Sequence, residues 1–120
     1  MKEKRKILYQ IRKICKKNPK IKRKISKIKN LEKRLYYAQV WEETESQPLN
    51  ILENFSKRGW KNHHLDHIFP IYRGYIQNIP PEKVGNIKNL QFIPFEENLS
   101  KGSQLTAESK NALRRIKRLK

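Results

Sequence analysis

The stretch HHLDHIFP, residues 63–70, holds all three histidines of a 120-residue chain within five positions, beside Asp66 and just ahead of Pro70. On a strand, side chains alternate, so His64 and Asp66 face one way while Leu65 and His67 face the other. Asp66 and His67 therefore converge on one substrate only where the strand ends and bends, and Pro70 marks such an end. A zinc cluster of His63, His64 and His67 is the rival reading. Adjacent histidines at 63 and 64 do not converge easily on one ion, and no fourth ligand is obvious.

The surroundings of this stretch are strongly basic. Lys and Arg number 29 against 11 acidic residues, a formal charge of +18, which on so short a chain points to a polyanionic partner, nucleic acid first. The charge is uneven. Residues 1–34 carry 16 basic and 2 acidic side chains, residues 99–120 carry 7 and 1, and residues 35–98 carry 6 and 8. Cys15 is the only cysteine, which excludes an internal disulfide and a paired-cysteine zinc site, so any metal is held by oxygen or imidazole. No apolar run is long enough to span a bilayer, and charge rather than a signal-peptide core follows Met1. A soluble, intracellular, single-domain protein without a membrane partner is expected.

Upstream, Ile7, Leu8, Ile11, Ile14 and Cys15 recur at helical spacing until Asn18-Pro19 interrupts them. Beyond the break, Ile21, Ile25, Ile28, Leu31, Leu35 and Ala38 predict one longer helix ending near Thr44, apolar on one stripe and basic elsewhere. Leu49, Ile51, Leu52 and Phe55 predict a short helix closed by Gly59, and Trp60 then leads into the histidines as a core or loop anchor. Downstream, Gly74, Pro80, Pro81 and Gly85 make residues 71–88 read as a long loop. Residues 89–93, NLQFI, read as a strand, and Pro94 suits the first turn of a helix through FEENLSK that Gly102 stops. Thr106 is placed to cap a basic C-terminal helix in which Leu113, Ile116 and Leu119 share a face. Three segments result: a basic helical arm over 1–45, a core over 46–105, and a basic helix over 106–120.

HLDHIFP, NLQFIP from Asn89 and EENLSKGS from Glu96 together resemble the HNH endonucleases, over residues 60–103. The resemblance implies an α+β fold, a ββα-metal nuclease core with additional basic α-helices at both ends. It makes His67 the general base and Asp66 the carboxylate ligand of a divalent metal. Asn89 becomes the side chain that pins the intervening loop and so orients His67. Asn98 stands where the third letter, often histidine, falls, so this is the variant in which an amide oxygen completes the metal site. His64 takes a supporting role beside the site. Lys101 either contacts a phosphate or caps its helix, and the sequence does not separate these.

The residue types suit this chemistry in their own right. Hydrolysis of a phosphodiester needs a deprotonated water in line with the leaving oxygen, and an imidazole with an unperturbed pKa of about 6.5 can accept that proton. A hard divalent cation on oxygen ligands stabilises the charge that builds on phosphate. The expected cofactor is Mg2+, with Mn2+ as a substitute and no structural zinc. DNA is the expected partner, RNA remaining open, and the resemblance implies that cleavage leaves 5′ phosphate and 3′ hydroxyl ends. Lys13, Lys16, Lys17, Lys24, Lys27, Arg114, Arg115 and Arg118 are the expected phosphate contacts. The rival class is a non-catalytic nucleic-acid-binding module on the same scaffold. A homodimer, or a nuclease component of a larger complex, is a further alternative.

Overall fold

The computed structural model describes residues 2–59 and 61–120, so the anchoring role expected of Trp60 lies outside the described residues. Ile7, Ile11 and Ile14 recur every three or four positions and form the buried stripe of α1 (Lys2–Lys17). Asn18 then ends one helix and starts the next. Its side chain accepts the backbone N–H of Lys20, and Pro19 occupies the first position of α2 (Pro19–Ile25). Ile21 and Ile25 of α2 join the α1 stripe around Ala38 of α3 (Leu31–Ser46).

The single long helix expected from Ile21 to Thr44 is therefore two helices. The apolar spacing runs through the break, but residues 26–30 form a turn in which Asn30 Oδ1 caps α3 by accepting the N–H of Lys33 at 3.0 Å. Arg34 Nε donates to the Ile28 carbonyl at 2.7 Å and ties this turn back to α3. The helix expected after Pro48 is replaced by two 3-10 turns, Leu49–Ile51 and Phe55–Lys57, separated by Asn54 in the left-handed region at φ 67°.

Residues 71–88 are likewise not a loop. They contain α4 (Ile71–Ile76), α5 (Pro81–Val84) and the start of a 3-10 turn, Ile87–Asn89. Gly74 and Gly85 serve close packing here. A Cβ on Gly74 would lie 2.6 Å from Tyr36 Oη, and one on Gly85 would lie 2.6 Å from the Val40 carbonyl oxygen.

The sheet has two antiparallel strands, β1 (His63–His67) and β2 (Leu90–Pro94), in a register that pairs His63 with Pro94, Asp66 with Gln91 and His67 with Leu90. β2 passes without a linker into α6 (Phe95–Lys101), and α7 (Ala107–Lys117) follows, capped by Thr106 Oγ1 on the N–H of Ser109. The described residues thus form a compact α+β fold with seven α-helices and one small sheet.

Three apolar clusters fill it, and α3 reaches all of them. Ala38 joins the α1–α2 cluster. Val40, with Tyr36 at its edge, meets Phe69, Val84 and Ile116. Trp41 borders the cluster of Leu49, Leu65, Leu90 and Phe92. The boundary expected between residues 45 and 46 falls inside this helix. No described helix is long and apolar enough to cross a membrane.

Candidate functional site

Asp66 and Gln91 face each other across the sheet, and Gln91 Nε2 donates to Asp66 Oδ2 at 2.8 Å. α6 packs over both strands and brings its last residue to the same carboxylate. Lys101 Nζ lies 2.9 Å from Asp66 Oδ1 and 2.7 Å from Oδ2. The same ammonium donates to the carbonyl oxygens of His67, at 3.0 Å, and Ile68, at 3.2 Å. Asp66 is 6% exposed, so this is a largely desolvated ion pair with hydrogen bonds on both partners. Lys101, expected either to contact a phosphate or to cap its helix, is in this structure the counterion of Asp66.

Asn98, one turn earlier on α6, points its amide nitrogen at His64 Nδ1, 3.2 Å away. An amide nitrogen only donates, so His64 accepts at Nδ1. The alternation of β1 puts His64 and Asp66 on one face, as the sequence predicts, and α6 covers that face.

His67 leaves the strand on the opposite face. Its Nε2 is 2.9 Å from Thr44 Oγ1 of α3, and the Trp41 ring stands edge-on to it, centroids 4.8 Å apart at 89°. Thr44 spends its one hydroxyl proton on the Val40 carbonyl at 2.7 Å. Thr44 therefore accepts from His67 Nε2–H, and the lone pair of the imidazole sits on Nδ1. Burial, then the charges of Lys101 and Lys24, push the His67 pKa down to about 3. The expected convergence of Asp66 and His67 does not occur: one contacts α6 and the other α3.

Asn89 is fully buried and holds the turn after His67. Its Oδ1 accepts from Phe69 N at 2.7 Å, while its Nδ2 donates to the carbonyls of Phe69 (3.1 Å) and Val84 (2.8 Å). Its own carbonyl accepts from Ile68 N at 2.8 Å. Four bonds from one residue fix where β1 ends.

Beside the strand pair opens a cleft of about 420 Å3 lined by Lys24, Trp41, Arg58, His63, His64 and Asn98, among others. Lys24 carries its ammonium to 4.0 Å from the Trp41 ring centroid. Partial burial there, then repulsion by Arg58, lowers its pKa. Arg58 is held by Glu45 through Nη2 at 2.7 Å and Nη1 at 3.1 Å. Lys13, Lys16, Lys17, Lys27, Arg114, Arg115 and Arg118 are exposed on α1, α7 and the segments flanking α2 and α7, and do not line this cleft.

Among the described residues no group of three or more His, Cys, Asp or Glu side chains gathers around one point. The oxygens that do gather are the Asp66 carboxylate and the His67 and Ile68 carbonyls, all within 3.2 Å of Lys101 Nζ. An all-oxygen set that already holds a cation has the chemistry that a hard divalent ion requires. Thr44, Trp41, Gln91 and Arg58 were not legible as site residues, because each reaches the site by tertiary packing or cross-strand pairing. No protein-family model matches the chain, and no curated protein or solved structure matches it either.

Proposed function

We propose that this protein is a metal-dependent endonuclease of the HNH type, built on a ββα-metal core, that hydrolyses phosphodiester bonds of DNA. The observation that carries the proposal is the strand–strand–helix unit in which α6 lies over β1 and β2 with Asn98 beside His64 and Lys101 on Asp66. The buried Asn89 supports it by fixing the turn that follows His67.

In this reading Asp66 and Asn98 offer oxygen ligands to Mg2+. When bound, that ion supplies Lewis-acid stabilisation of the charge developing on phosphate and leaving oxygen. His67 is the general base. It is neutral over the physiological range, and Thr44 keeps the acceptor lone pair on Nδ1. Lys24 and Arg58 line the path of the nucleic-acid backbone, and the other exposed basic residues of both ends add sequence-independent attraction.

A second reading is a nucleic-acid-binding module without catalysis. The specific observation in its favour is that Asp66 is neutralised by Lys101 while His67 is buried against α3.

Incubation with supercoiled plasmid, with and without Mg2+, separates the two. The endonuclease reading expects metal-dependent nicking, abolished in Asp66→Ala and reduced about a hundredfold to ten-thousandfold in His67→Ala, the usual contribution of a general base. A folded wild type that nicks neither DNA nor RNA in Mg2+ or Mn2+ leaves the binding-module reading.

A further inference from the structure

Lys101 occupies a position that its own length does not require. A lysine at the last turn of an exposed helix can extend into water, yet here its ammonium is surrounded by four oxygens, two of Asp66 and one each of His67 and Ile68. None of those oxygens is free to follow if the lysine withdraws. Gln91 Nε2 holds the carboxylate from the opposite strand. The Ile68 carbonyl also accepts from Ser109 Oγ of α7 at 2.9 Å, and its amide is bonded to the Asn89 carbonyl at 2.8 Å. The oxygen cluster is therefore preorganised, while the cation within it sits at the end of a flexible four-carbon stem. A largely buried carboxylate flanked by two carbonyls cannot be left without positive charge at small cost. Whatever removes Lys101 must be accompanied by another cation.

We propose that Lys101 and a divalent metal ion are alternative counterions of the Asp66 carboxylate, and that a phosphate of the bound nucleic acid is the anion that draws the lysine out. The inference rests on the endonuclease reading for the identity of the anion, but the exclusion between Lys101 and metal stands on the geometry alone. It makes metal binding conditional on substrate: the free protein keeps Asp66 neutralised internally, and the metal site opens when the ammonium has a phosphate to pair with. Lys101 is here a positioning residue, acting through Asp66.

Population arithmetic sets the size of the effect. If the withdrawn conformation is a minor state, holding a tenth to a thousandth of the molecules, the apparent metal affinity of the free protein is reduced by that fraction. Replacing the ammonium by an uncharged side chain of similar length removes the reduction.

The test measures Mn2+ binding to the full chain without nucleic acid, by electron paramagnetic resonance of the free ion. Lys101→Met is expected to bind Mn2+ about tenfold to a thousandfold more tightly than wild type. Lys101→Arg, which keeps a cation, is expected to stay weak, and Asp66→Asn in the Lys101→Met background is expected to abolish the gain. Equal Mn2+ affinity in wild type and Lys101→Met overturns the proposal. Should Lys101→Met fail to fold in metal-free buffer, refolding in Mn2+ decides: recovery supports the exchange, and failure to recover overturns it. Plasmid nicking plays no part in this measurement, so a protein that exchanges cations without cutting DNA refutes the endonuclease reading and leaves the exclusion intact.

Discussion

Thr44 and His67 are joined by a 2.9 Å hydrogen bond between the middle helix and the end of the first strand, and the direction of that bond is fixed by what else Thr44 does. Because its proton goes to the Val40 carbonyl, only the Nε2–H tautomer of His67 satisfies both partners. Thr44→Val leaves that N–H buried without an acceptor. The expected loss is about 1–3 kcal/mol in chemical denaturation, with Thr44→Ser close to wild type. Nitrogen chemical shifts of His67 should report the Nε2–H form in wild type, and a mixture of tautomers in wild type would contradict the assignment.

The same burial makes stability pH-dependent. His67 titrates at about 3 in the folded protein, below the unfolded value of about 6.5, so the unfolded chain takes up the proton first. Its contribution is complete above pH 6.5 and is lost as pH falls toward 3. Between pH 7 and pH 4 the loss is on the order of 3 kcal/mol. His67→Asn, which retains an N–H for Thr44 and cannot titrate, should show a shallower decline over that interval. Parallel curves for the two proteins would mean that His67 is not buried as described.

Asn89 makes its contribution through the Phe69 amide and the Phe69 and Val84 carbonyls. Asn89→Leu strands the Phe69 amide and the Phe69 and Val84 carbonyls, at a cost of about 3 kcal/mol or more. Hydrogen exchange gives the sharper readout: the Ile68 and Phe69 amides should lose protection before the α1 amides do. Uniform loss would place Asn89 in general packing instead.

For nucleic-acid affinity, deleting residues 1–34 is a poor test, because it removes Ile7, Ile11, Ile14, Ile21 and Ile25 from the cluster around Ala38. Point substitutions in the cleft avoid this. Lys24→Ala and Arg58→Ala should each lower the log–log salt slope of DNA binding in Ca2+ by about one, and the double variant by about two. A slope unchanged by both would put the backbone elsewhere on the surface.

Some of this architecture was legible because its signals are local. Alternation placed His64 with Asp66 and away from His67, Pro94 and Gly102 bracketed α6, and Thr106 announced α7. The split between α2 and α3 was not legible, since isoleucine spacing continues through the turn and only the Asn30 cap marks it. Gly74 and Gly85 read as loop residues because their real role, letting α3 approach α4 and α5, depends on partners distant in the chain. The site shows the same division. The quoted motifs made Asp66, Asn98 and Lys101 candidates, whereas the contacts of Lys101 with Asp66 and of Thr44 with His67 join residues 35 and 23 positions apart. Long-range pairings of that kind leave no periodic trace.

The direct passage from β2 into α6 sets a rotational phase. Pro94 closes the strand without an N–H to give, and the ladder continues into the helix itself through Phe95 N on the Asn62 carbonyl at 3.0 Å. The helix is clocked against the sheet at its first residue. One residue inserted after Pro94 would turn α6 by about 100°, sweeping Asn98 from His64 and Lys101 from Asp66 together. The same insertion after Gly102 would turn nothing beneath α6. Length variation at these two neighbouring junctions therefore has unequal consequences: at the first it moves both side chains off their partners, and at the second it leaves them in place.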